Sequence, residues 1–79
     1  MAYTYILESV NFEKTYVGST LDLENRIEEH NAGKSIFTSR YKPWILLHKE
    51  EHVNLKDARQ REKYLKTAAG RKFIKRLLE

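Results

Sequence analysis

The chain has no cysteine among its 79 residues. Disulfides and thiolate zinc sites are therefore excluded as supports, and the fold must hold by packing alone. No apolar run approaches the roughly 18 residues that a membrane-spanning helix requires. The N-terminus lacks a basic region followed by an apolar segment, so no signal peptide is expected, no membrane partner either, and the expected location is cytoplasmic. Internal repeats, low-complexity tracts and linker-like stretches are also missing. Residues 1–79 therefore read as one small domain with a modest core.

What is present points to a folded domain. Hydrophobic residues make up 41% and charged residues 33%, a balance that separates this chain from disordered sequences. Fifteen basic against eleven acidic residues leave a net charge of +4. That balance favours a polyanionic partner, and it equally fits an ordinary basic protein.

Tyr3 to Leu7 read as a strand, rich in aromatic and β-branched residues on both faces, hence a central one. A turn over Ser9 to Lys14 returns the chain as a second strand, Thr15 to Gly18. Thr20 is the expected N-cap of a helix from Leu21 to Ala32, with Asp22 and Glu24 in its first turn and Gly33 as its stop. Leu23, Ile27 and His30 form its inward stripe, and Arg26 stands one turn before His30. Lys34 to Pro43 reads as a loop in which Lys34, Arg40 and Lys42 alternate with Phe37 and Tyr41. That is the composition of a nucleic-acid-contacting loop, although Phe37 could equally belong to the core. Trp44 to Lys49 is the third strand. Its consecutive Ile45, Leu46 and Leu47 predict cover on both faces. Asn54, with Asp57 three residues on, caps the helix that follows. A break at Thr67 to Gly70 precedes a last helix packing Phe73, Ile74 and Leu77. The expected class is α+β, a three-stranded antiparallel sheet flanked by helices in the order β-β-α-β-α-α.

The helix over residues 58–66 carries an apolar stripe of Ala58, Leu65 and Ala69, and Glu62 falls on it. A carboxylate directed at the protein body is costly unless it is paired or binds a metal. Glu62 therefore reads as a rim residue, a partner of an arginine, or a site residue. The other polar candidates have similar alternatives. Tyr5 and Tyr16 on adjacent strands could be core aromatics, Gly18 a strand-end glycine, Arg26 a partner of Asp22, and His30 a satisfied core histidine. His48 and His52 share a strand face, and two histidines alone point to a structural role.

Taken together these residues form a known pattern. The sequence resembles the GIY-YIG nuclease superfamily, which includes the catalytic domain of a bacterial excision-repair nuclease and certain homing endonucleases. The two name-giving tripeptides correspond to Tyr3-Thr4-Tyr5 and Tyr16-Val17-Gly18, and the family's helical arginine and the residue one turn on correspond to Arg26 and His30. Its metal-binding glutamate corresponds to Glu62. Thr38, Arg40 and Pro43 are similar to a loop of the small stand-alone bacterial members, and the likeness covers essentially the whole chain. Two features depart from the family pattern. Tyr3 holds the glycine position of the first tripeptide, and no Asn follows Glu62.

The resemblance implies hydrolysis of a phosphodiester with one divalent ion, Mg²⁺ or Mn²⁺. Glu62 would be its ligand, Arg26 the phosphate grip, and Tyr16 the residue that orients or deprotonates water. Tyr5 would assist, with His30 as the alternative base. The implied partner is nucleic acid, DNA in preference to RNA, and the implied setting is DNA repair or processing. Two other classes stand beside this reading: a nucleic-acid-binding module without cleavage, and a structural or protein-interaction domain.

Overall fold

The computed structural model describes all residues, 1–79. Its elements are β1 (Ala2–Ser9), β2 (Thr15–Thr20), α1 (Leu23–Asn31), α2 (Ile36–Ser39), β3 (Trp44–His52), α3 (Leu55–Leu65) and α4 (Ala68–Leu78). The expected class and order hold, with α2 a four-residue turn of helix inside the loop over residues 34–43. The sheet is antiparallel in the order β2-β1-β3, so β1 is the middle strand.

Alternation along β1 builds a core on each face of the sheet. Tyr5 and Leu7 pack with Trp44, Leu23 and Ile27 under α1. Ile6 packs with Val17, Leu65 and Ile74 under α3 and α4, joined by Leu47, Phe73 and Leu77. Ile6 and Leu7 are fully buried, which is worth roughly 1.5–3 kcal/mol for each such side chain.

Several boundaries differ from the sequence reading. Thr20 does not cap α1, because it pairs with Tyr3 in the β2–β1 ladder. Asp22 takes the role, its carboxylate accepting from the Asn25 N–H at 3.2 Å. Asn54 does cap α3, accepting from the Asp57 N–H at 2.8 Å. Gly33 closes α1 at φ +80°. The strand β3 is not covered on both faces: Ile45 is 52% and Leu46 39% exposed. It pairs with β1 alone, and a bulge at Ile6/Leu7 passes over Leu47 in the register. The apolar stripe of α3 holds Ala58 and Leu65 but not Ala69, which is exposed. A new helix begins at Ala68 under its own cap, Thr67, so the periodicity of α3 does not carry across. No helix is long and apolar enough to cross a membrane.

Candidate active site

Tyr5 lies opposite Gly18 in the β1–β2 register. Its ring crosses the place where a side chain at residue 18 would stand: a Cβ there would lie 2.5 Å from the phenol oxygen. Only glycine leaves that passage open. The phenol then meets His30 of α1, with its oxygen 2.9 Å from Nε2. On the far side, His30 Nδ1 lies 2.9 Å from the Thr38 hydroxyl. The Trp44 indole N–H in turn donates to the Thr38 carbonyl at 2.8 Å. Asn31 fixes α1 to the start of β3, accepting from the Trp44 N–H at 2.6 Å and donating to its carbonyl at 3.1 Å. Tyr5, His30, Thr38 and Trp44 are all buried, and no buried side-chain polar atom is left without a partner. A polar chain this deep is stable only when every member is satisfied.

Its electrostatics follow from depth. Burial first, and then the neighbouring Tyr16, push the Tyr5 hydroxyl up to about 12, with Arg26 opposing and Glu62 adding to the rise. Burial and then the Arg26 charge push His30 down to about 4. Both groups are neutral at pH 7. Arg26 can only donate and sits beside the phenol, so we assign the Tyr5 proton to His30 Nε2 and the His30 proton to Nδ1, facing Thr38. Both ring nitrogens are then engaged.

Tyr16 covers His30, with ring centres 4.7 Å apart, and its hydroxyl makes no hydrogen bond to the protein. Arg26 is half-buried and donates to Glu29 at 3.1 Å; Glu29, rather than Asp22, is its partner. That hydrogen bond is the first cause raising the guanidinium pKa further. Glu62 approaches from the other face of the sheet. Its carboxylate accepts from the Ser19 hydroxyl at 2.6 Å and from the Lys66 ammonium at 2.6 Å. With a side-chain exposure of 21%, it is a rim residue, and its charged partner is a lysine rather than an arginine. Because β2 is an outer strand, the phenol side and the carboxylate side meet around its free edge.

Tyr5, Tyr16, Gly18, Arg26, His30 and Glu62 thus gather about β2. The loop residues Lys34, Arg40 and Lys42 are exposed outside this group. Tyr41 packs edge-on against Phe12 at 5.4 Å and lies 5.2 Å from Phe37, with Lys14 over its ring at 5.4 Å. It braces an aromatic cluster, whereas Phe37 is 45% exposed. His48 and His52 flank Glu50, which Arg61 holds with two bonds of 2.8 and 3.1 Å. Burial works to raise the Glu50 pKa, but Arg61 and His48 outweigh it and lower it. That group is an ion-pair cluster of the structural kind.

No group of three or more His, Cys, Asp or Glu that could enclose a metal occurs in the chain. One exposed-edge carboxylate nevertheless suits Mg²⁺, which keeps several waters and binds through one or two carboxylates plus substrate phosphate. Glu62, with Ser19 beside it, is a donor set of that kind. Sequence reasoning missed Ser19 and Lys66. Lys66 has a local signal, its i+4 spacing from Glu62, while Ser19 has none.

The fold and these residues define a small α+β domain of the nuclease type. The chain belongs to the GIY-YIG family: residues 1–75 match the model of the GIY-YIG catalytic domain. Members of that family act on nucleic acid and generally use a divalent metal. The UPF0213 protein SH2523 of Staphylococcus haemolyticus is 32% identical over 78 residues, covering 98% of this chain and 94% of that protein. A UPF0213 protein of Syntrophus aciditrophicus is 36% identical over 66 residues, covering 81% and 75%. Among solved structures, the solution NMR structure of the UPF0213 protein BH0048 from Bacillus halodurans is similar, with a TM-score of 0.55 and 27% identity over 98% of this chain and 85% of that one.

Proposed function

We propose that this chain is a metal-dependent endonuclease that hydrolyses phosphodiester bonds in DNA, in preference to RNA, during repair or processing. One observation carries the reading: the half-buried guanidinium of Arg26 and the rim carboxylate of Glu62 both lie near enough to the Tyr5 phenol to act on its charge, in opposite directions. Arg26 binds a non-bridging phosphate oxygen and stabilises the charge that develops there. Tyr16, whose hydroxyl has no protein partner, orients or deprotonates the attacking water. His30, buried with both nitrogens engaged, is a positioning residue that holds Tyr5. Tyr5 stays protonated and assists as a fixed neutral hydroxyl. A Mg²⁺ or Mn²⁺ ion at Glu62 would supply Lewis-acid stabilisation of the phosphate and the leaving oxygen. Lys34, Arg40, Tyr41 and Lys42 extend the footprint on nucleic acid.

A second reading, a binding module with little cleavage, is favoured by one contact: the Lys66 ammonium already holds Glu62 Oε2 at 2.6 Å. A panel of nicked, branched and single-stranded DNA and RNA, each with Mg²⁺, Mn²⁺ or chelator, separates the two. The endonuclease reading expects cleavage that needs the metal and falls by orders of magnitude in Glu62→Gln while binding persists. Binding without cleavage of any substrate supports the second reading, and full activity in Glu62→Gln removes the metal-ligand role.

A further inference from the structure

Beside Tyr16 the surface opens into a groove of about 340 Å³ between β2 and the junction of α3 and α4. That volume falls at the lower end of the roughly 300–1,000 Å³ typical of small-ligand sites. Val17, Leu65 and Ile74 give it an apolar floor. Tyr16 and Phe37 form one wall, with ring centres 6.2 Å apart and planes 32° apart. Tyr41 backs Phe37 at 5.2 Å, so the exposed ring is braced rather than free. Lys66 and Arg71 line the groove as its cations, and Arg71 makes no ion pair with the protein.

An aromatic wall, an apolar floor and a cationic rim suit a flat heterocycle attached to a phosphate. From this we infer a nucleotide subsite for one unpaired base, stacked on Phe37, with its phosphate at Arg71 and Lys66. The inference rests on the nuclease reading and specifies its substrate. Tyr16 belongs to both the groove and the proposed active site, and Lys66 also holds Glu62, so the base lies next to the phosphate to be cleaved. Bases stacked inside a duplex cannot enter such a groove. The substrate is therefore single-stranded at the cleavage position: a flap, a junction or an unpaired tract.

Charge supports the placement. Residues 55–79, which make α3 and α4, carry nine basic and three acidic residues, whereas residues 1–54 carry six and eight. The excess of positive charge in the chain thus comes from the α3–α4 segment, at +6 against −2 for residues 1–54. A phosphate backbone is held by that balance, and its hold weakens with salt.

The test measures binding in chelator, so that cleavage plays no part. Fluorescein-labelled oligothymidylate of about 12 nucleotides, within the range one small domain covers, is compared with a duplex of the same length by anisotropy. The full chain should prefer the single strand. Phe37→Ala and Phe37→Leu should weaken single-strand binding about fivefold or more, the lower bound for losing one stacked base, and leave duplex binding unchanged. Phe37→Tyr keeps a ring and should restore affinity. Arg71→Ala should weaken binding and lower the salt slope by about one. Phe37→Leu keeps apolar volume, so its melting temperature separates a lost stacking surface from a lost packing contact. Single-strand binding that is indifferent to Phe37→Leu overturns the subsite and leaves the nuclease reading standing. Equal loss on both probes, with a fall in melting temperature, makes Phe37 a packing residue and also overturns it. Failure to bind either probe overturns the nuclease reading itself.

Discussion

The Tyr5 phenol passes over Gly18 with no room for a methyl group: a Cβ would stand 2.5 Å from the hydroxyl oxygen and 2.6 Å from the carbon that bears it. The second motif glycine is thus defined by the ring of the first motif tyrosine. Gly18→Ala must displace Tyr5 or bend β2, an overpacking that costs about 1–3 kcal/mol. In a Tyr5→Ala background the same change should cost much less. A double-mutant cycle read by chemical denaturation should show coupling of about 0.5–3 kcal/mol, as expected of residues in contact. Additive effects would mean that the two residues do not constrain each other.

His30 predicts an acid-side loss of stability. Its pKa is lowered from 6.5 to about 4, so below pH 6.5 the unfolded chain takes up a proton that the folded chain refuses. Stability should fall as pH drops through that window, with a total of the order of 3 kcal/mol. Glu50, whose pKa is lowered from 4.5, loses its contribution only below that value. Denaturation midpoints between pH 6.5 and 5 therefore lie above the range in which Glu50 contributes to the pH dependence. His30→Gln should flatten the profile there, and an unchanged slope would assign it to another group.

Arg26→Ala should leave the melting temperature nearly unchanged. The Arg26–Glu29 pair is partly exposed, and such pairs contribute under about 1 kcal/mol. Cleavage should fall roughly 100-fold or more, as when one transition-state donor is removed. Arg26→Lys should recover only part of it, because an ammonium lacks the forked geometry of a guanidinium. Unfolding of the Ala variant together with full activity of the Lys variant would make the residue structural.

Glu62→Gln should change stability by less than about 1 kcal/mol. The Lys66 pair is largely solvent-facing, and pairs four residues apart on a helix contribute about 0.3–0.5 kcal/mol. The Gln oxygen can still accept from Ser19. Because Lys66 and Ser19 already compensate the charge, the variant gains nothing from its removal. Melting curves with and without Mg²⁺ check both points: Mg²⁺ should stabilise the parent chain and have no effect on the variant.

Much of this protein is legible without coordinates, because some information is local. β1 announces its central place through bulk on both faces, and Asn54 announces the start of α3 through its short polar side chain. Gly33 marks the end of α1, and the motif tyrosines, Arg26 and Glu62 can be read from spacing and likeness. The caps rest on side-chain type and the roles of the motif residues on likeness; periodicity reports only which face of its own element a residue occupies, and that is enough for β1. It failed where exposure depends on what lies alongside. The run Ile45-Leu46-Leu47 looked covered, yet β3 pairs only with β1 and turns Ile45 outward.

Only the tertiary structure decided which partners the polar groups of the candidate site have. His30 could be read as a base until Tyr5 and Thr38, 25 and 8 residues away, were seen to engage both its nitrogens. Glu62 could be read as an arginine partner until Ser19, 43 residues earlier, and Lys66 took its oxygens. Thr20 lost its cap to Asp22 because pairing with Tyr3 extended β2. Phe37 stayed outside the core because α2 places its ring beside Tyr16 and Tyr41 instead. The sequence by itself determined which strands and longer helices form and which residues of β1 face each core, since those follow from local period and capping. The partners of the buried and rim polar groups were determined by how separate elements pack, because a hydrogen bond needs both atoms in place and residue spacing within one element does not specify where another element lies.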